Sequence, residues 1–222
     1  MGQENKNFKE QFYLILAGIF IASLVASNLI FQKFFTWNFL GIDFELSVGI
    51  IAYPVTFLVT DLISELYGQK RANQVVVSGF FASVFTTLLV LISANANAVV
   101  WSPIDNVTFT KVFGLTGPAF FASMVAYLTA QLIDVRIFHF WKRLTKGKHL
   151  WLRNNASTMF SQLVDTSVIL IILCSAGVIE WERFYSLWMM GWLFKVLVAL
   201  IDTPIIYIVI HFLKGKIDIA KH

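Results

Sequence analysis

Five carboxylates lie within long apolar runs of this chain, where lipid-compatible side chains would be cheaper. Asp61 and Glu65 are four residues apart in one run, and Asp134, Asp165 and Asp202 fall singly in three others. A carboxylate at the centre of a membrane helix costs roughly 2.5–3.5 kcal/mol on insertion scales, so five of them call for a role in binding or moving something polar. The basic groups inside the same runs are Arg136 and Lys195. A buried ammonium needs an anion beside it. Lys195 and Asp202 are two helical turns apart, about 10.5 Å along the axis, too far for a direct pair. The expected partner of Lys195 is therefore Asp165 on another helix in one state, with that contact exchanged for a bound polar molecule or a proton in another.

Helical spacing groups these charges with other polar side chains. Tyr53, Phe57, Asp61 and Glu65 share one stripe; Ser123, Tyr127, Gln131 and Asp134 share a second. Thr158, Ser161, Gln162 and Asp165 form a third, and Trp188, Trp192, Lys195 and Asp202 a fourth. Counting along the runs places Asp165 and Asp202 near the midplane and Asp61 and Asp134 closer to one end. Each feature also has a structural reading. Asp61 and Asp134 would pair with Lys70, Arg71 or Arg136, the serines, threonines and glutamines would bind helix to helix, Lys195 would snorkel, and Trp181, Trp188 and Trp192 would form an interfacial belt.

The elements that must position these groups follow from composition. Of 222 residues, 58% are hydrophobic and only 14% charged, with a mean hydropathy of +0.73. Such a chain is solvated by lipid. About 20 residues of helix cross the hydrocarbon, and six runs have that length: 12–34, 46–67, 74–94, 118–140, 157–178 and 187–213. The expected fold is all-α, a single membrane domain over 1–222 built from six transmembrane helices. No cleavable leader is expected, because Met1 to Lys9 lead into the first run without a small-residue cleavage site. Lys6, Lys9, Lys70, Arg71, Lys142, Arg143, Lys146, Lys148, Arg153, Lys214, Lys216 and Lys221, twelve of the 17 basic residues, fall on one side of this arrangement. By the positive-inside bias both termini are expected in the cytoplasm. Pro54 and Pro204 each remove a backbone donor inside a run, a way to break helices around a solute site. Gln131-Leu-Ile-Asp134 echoes Gln162-Leu-Val-Asp165, a match short enough to arise by chance.

Other chemistries lack their signatures. There is no Gly-x-Ser-x-Gly elbow, no His-Glu-x-x-His, no P-loop, and no Gly-x-Gly-Asp around the aspartates. Cys174 is the single cysteine and the four histidines are scattered, so neither an intrachain disulfide nor a metal site is expected. No catalytic residue and no cofactor is expected either. The net charge of +4 belongs to the membrane topology and not to nucleic acid.

The runs Tyr53-Pro54-Val-Thr-Phe-Leu-Val-Thr60-Asp61, Ala126-Tyr127-Leu-Thr-Ala-Gln131-Leu-Ile-Asp134-Val-Arg-Ile-Phe138, Ala156-Ser157-Thr158-Met-Phe-Ser-Gln162-Leu-Val-Asp165-Thr166 and Phe194-Lys195-Val occur in order. Together, over Ser27-Asn28 to about Tyr207, they resemble the queuosine precursor transporter family. Asp202-Thr203 falls outside the resemblance. It implies a bacterial multi-pass protein of the inner membrane that imports 7-deazaguanine bases, in nitrile or aminomethyl form or as queuine, for the tRNA nucleoside queuosine. Asn28, Tyr53, Asp61, Tyr127, Gln131, Asp134, Gln162, Asp165 and Lys195 are the expected substrate-binding residues, with Glu65 and Asp202 expected to serve coupling. A deazaguanine suits such a set, since its adjacent N1–H and amino group present two parallel donors to a carboxylate and its ring faces suit aromatic side chains. The expected partners are this small molecule and membrane lipid, with a homo-oligomer left open. Two alternatives stand beside this reading: a substrate-binding membrane subunit of an ATP-driven vitamin importer, and an intramembrane hydrolase.

Overall fold

Apolar runs of this length bury their backbone polar groups only by closing helical hydrogen bonds, and six of them do so here. The computed structural model describes residues 2–39, 41–114 and 117–213. In chain order it contains α1 (Gly2–Ile30), β1 (Phe34–Phe39), β2 (Ile42–Ser47), a 3-10 turn (Val48–Ile51), α2 (Tyr53–Tyr67), α3 (Gln69–Ala94), α4 (Asn106–Phe113), α5 (Gly117–Leu144), α6 (Leu150–Ser175) and α7 (Trp181–Leu213). Six segments are long and apolar enough to cross a membrane: Asn7–Ile30, Val48–Tyr67, Gln69–Ala94, Phe120–Leu144, Leu150–Ser175 and Trp181–Leu213. The chain is a multi-pass membrane protein. Lys214, Lys216 and Lys221 lie outside the described residues.

Three local features depart from the sequence expectation. The first span stops at Ile30, and residues expected to finish it or begin the second instead pair as an antiparallel hairpin, Trp37 opposite Phe44 and Phe35 opposite Leu46. Alternating large apolar residues around a Gly41 turn (φ 79°) favour strands over helix. Pro54 does not kink a running helix. It stands in the first turn of α2, after the 3-10 turn, where its missing N–H costs nothing. The span is thus broken between the 3-10 turn and α2. The short α4 was also unforeseen; Asp105 caps it by accepting from the Thr108 N–H at 2.7 Å, which holds this exposed carboxyl below its usual range.

Small residues set the helix crossings. A Cβ on Gly79 would come within 2.7 Å of both Phe20 Cε1 and Tyr127 Oη, so α1, α3 and α5 meet closely only because this residue has none. Phe20, Leu24, Val59, Leu62, Ile63, Val75, Val76 and Tyr127 pack around this crossing. Gly68 (φ 83°) turns the chain between α2 and α3 in a conformation that favours glycine. At that end α1 is fastened to the turn: Tyr67 Oη donates to Lys9 O at 2.8 Å, and Arg71 pairs with Glu10 at 3.2 Å. The outward face of α3 carries Phe81, Phe85, Leu88 and Ile92, all exposed, as a lipid-facing helix requires.

Candidate substrate site

The buried polar side chains of α2, α5, α6 and α7 form three strata along the bundle. In the upper one, Lys195 Nζ donates to Asp165 Oδ2 at 2.7 Å and to Thr166 Oγ1 at 3.0 Å, while Tyr53 Oη donates to Asp165 Oδ1 at 2.8 Å. The Lys195 ammonium also lies 5.4 Å from the centre of the Tyr53 ring. One carboxylate thus ties α2, α6 and α7 together. A carboxylate offers about four lone-pair sites, so each Asp165 oxygen keeps capacity for another donor.

These four side chains border a cavity of about 250 Å³. Its walls come from the end of α1 and the residue after it (Ser27, Asn28, Phe31), the hairpin (Phe34, Glu45, Leu46), the 3-10 turn, Ser123 of α5, and the apolar faces of α6 and α7. Ser27 Oγ donates to Gly49 O at 2.8 Å, and a Cβ on Gly49 would meet Ser27 O at 2.9 Å, so the 3-10 turn sits hard against α1. Ser123 Oγ donates to Asn28 Oδ1 at 2.8 Å, and the buried Asn28 Nδ2 has no acceptor among the described residues. The cavity therefore combines a carboxylate with spare capacity, aromatic walls, a hairpin carboxylate and the Asn28–Ser123 pair on its wall.

One to two turns further along lies the middle stratum. Thr60 Oγ1 donates to Gln131 Oε1 at 3.1 Å and Gln131 Nε2 to Thr56 Oγ1 at 3.0 Å. Thr158 Oγ1 donates to Asp61 Oδ2 at 3.1 Å and Ser161 Oγ to Asp134 Oδ1 at 2.9 Å, which leaves the other buried oxygen of each carboxyl group without a donor among the described residues. Tyr127 Oη donates to Val76 O at 2.7 Å. Gln162 is buried with neither amide atom in a hydrogen bond. Asp202 of α7 is buried as well. Asp165 and Asp202 thus do not share one depth, because Asp165 is level with Lys195 and Asp202 lies two turns beyond it. Pro204 follows inside α7, and Thr203 beside it accepts from Asn155 Nδ2 at 2.7 Å.

The third stratum closes the far end. Glu65 is held by Arg153 at 2.6 Å and Lys142 at 3.1 Å, all three buried. Arg153 also donates to Gly147 O at 2.8 Å, inside the turn that joins α5 to α6. Arg153 and Lys142 were expected only as topology signals; what hid their role is that a basic residue at a span end looks the same whether it faces headgroups or a buried acid.

Of the expected binding residues, the cavity gathers Asn28, Tyr53, Asp165 and Lys195. Asp61, Tyr127, Gln131, Asp134 and Gln162 do not line it. Nor do Glu65 and Asp202. Trp188 and Trp192 turn toward α6, donating to Ser167 Oγ at 2.9 Å and Met159 O at 3.1 Å, and Trp181 is exposed. Glu45, Phe31 and Phe34 were missed; the hairpin signal around Gly41 was what would have brought them in. Among the described residues no cluster of three metal-ligating side chains occurs.

Comparison with known proteins accords with a solute site. The profile of the family described as "Putative vitamin uptake transporter" matches residues 47–209. This chain belongs to that family. The match spans α2 to α7 and so contains every charged residue of the three strata. Family membership makes the chain a transporter and not an enzyme. A Bacillus subtilis protein named "Probable queuosine precursor transporter" is 28% identical over 72% of this chain and 70% of its own length. An Escherichia coli protein named "Queuosine precursor transporter" is 26% identical over 89% of this chain and 85% of its own. No solved structure matches the chain significantly.

Proposed function

We propose that this protein imports queuosine precursors, 7-deazaguanine bases, across the inner membrane, and that it binds them in the cavity above the Asp165–Lys195 pair. The observation that carries the reading is the Tyr53–Asp165–Lys195 cluster at the edge of an otherwise mostly apolar cavity. Asp165 accepts the base's paired N1–H and amino donors. The Asn28 side chain on the wall contributes polarity beside the ring, and Tyr53, Phe31 and Phe34 offer aromatic surface to the ring faces. A cavity of about 250 Å³ lies just under the range of about 300–1,000 Å³ for drug-sized ligands, which suits a single bicyclic base.

The strata supply the transport logic. The basic turn at 145–149 and the α2–α3 turn with Lys70 and Arg71 lie at the Glu65 end, so the positive-inside bias puts that end in the cytoplasm and the cavity on the outer side. In this conformation the Glu65–Lys142–Arg153 cluster closes the cytoplasmic end. When substrate occupies Asp165, Lys195 exchanges part of its contact with that carboxylate for the base carbonyl. That differential contact is what allows a ligand to shift the equilibrium between states. Asp61, Gln131, Asp134 and Gln162 then receive the base as it passes inward, with Asp202 beside them.

Purified protein reconstituted alone in liposomes tests this. Labelled deazaguanine base should enter the lumen and compete with unlabelled base. Binding without entry would refute import by this chain alone, and absence of binding would refute the substrate class.

A further inference from the structure

Counting charge around the cavity leads to a selectivity that its shape does not show. Three charged side chains border it: Asp165, Lys195 and Glu45. The first two neutralise each other at 2.7 Å. Glu45 stands alone: it sits on β2 opposite Thr36, exposed at the hairpin side, and no hydrogen bond or ion pair engages its carboxylate among the described residues. The cavity therefore carries one uncompensated negative charge, displaced from the Asp165 end toward the hairpin.

We infer that Glu45 is a specificity-determining residue that selects a ring ligand bearing a cationic substituent over the same ring with a neutral one. This rests on the function proposed above. With the donor edge of the base at Asp165, a substituent on the opposite side of the ring points toward the hairpin. There a primary ammonium meets the Glu45 carboxylate, whereas a nitrile finds no donor and only removes water from that carboxylate. The aromatic residues Phe31 and Phe34 beside it keep the ring fixed between the two carboxylates. Because Glu45 is exposed, its contribution is that of a solvated ion pair, a preference of roughly fivefold, which salt screens.

The test is equilibrium binding of the aminomethyl and nitrile 7-deazaguanines to the purified full chain, with Glu45→Gln and Glu45→Lys beside it. The parent should bind the aminomethyl base roughly fivefold more tightly at low salt, and the margin should shrink at 0.5 M salt as charges more than a few ångströms apart are screened. Glu45→Gln should lose the preference while its nitrile affinity stays the same or rises, which also shows that the variant is folded, and Glu45→Lys should reverse it. Binding of both bases by the parent without preference, or an unchanged preference in Glu45→Gln, overturns this inference alone. Failure of the parent to bind either base overturns it together with the proposed function.

Discussion

Removing one charge of the Lys195–Asp165 pair should cost more than removing both. Lys195 and Asp165 are buried, 9% and 5% exposed, and 2.7 Å apart. Lys195→Met leaves a buried carboxylate with only the Tyr53 hydroxyl as donor. Breaking a buried pair from one side costs about 3–5 kcal/mol, because the remaining charge is uncompensated. Replacing both charges with neutral groups of similar volume removes that penalty and is often close to neutral. Lys195→Met should therefore lower stability by about 3–5 kcal/mol, and adding Asp165→Asn should restore most of it, a coupling of at least about 2 kcal/mol. Thermal unfolding of the four proteins of this double-mutant cycle in one detergent measures the coupling, and uptake into proteoliposomes is read in parallel. Uptake should stay lost in the double variant even as stability returns, and Lys195→Arg should rescue little, since its broad guanidinium fork does not replace a compact ammonium. Additive stabilities would refute the pairing argument. Parental uptake by the double variant would refute the role of the pair in transport.

Three further expectations follow from other parts of the molecule. Gly79→Ala should lower the melting temperature, at a cost of about 1–3 kcal/mol for overpacking, since its Cβ falls 2.7 Å from Phe20 and Tyr127; Gly18→Ala, with nothing within 4 Å, should not. Glu65→Gln should destabilise the bundle by about 3–5 kcal/mol, because Lys142 and Arg153 are then buried without their anion; an unchanged unfolding curve would remove the cluster as a structural clamp. Reporter fusions within the loop 96–104 should be active outside the cytoplasm and those at 146–148 inside it; the opposite labelling would invert the proposed orientation.

The apolar runs determined six spans without reference to any contact, because length and hydropathy alone decide whether a helix is solvated by lipid. Stripe arithmetic likewise placed Lys195 and Asp165 on facing helices, since two lone opposite charges inside lipid have few alternatives to meeting. What the stripes could not decide is depth. A stripe gives the face of a helix, whereas the level at which two helices meet depends on how far each is shifted along its neighbour. The break before α2 resets one such level here, and the close crossing at Gly79 fixes how α1, α3 and α5 meet. Asp165 stands at the cavity, while Asp61 and Asp134 accept from the hydroxyls of Thr158 and Ser161 on α6 a layer below. Glu45 reaches the cavity only because the hairpin folds back over the bundle, where Trp37 meets Phe194 edge-on at 5.4 Å. A long-range aromatic contact of that kind leaves no period in the sequence, so tertiary structure alone decided that a hairpin carboxylate would face the same space as the Lys195–Asp165 pair.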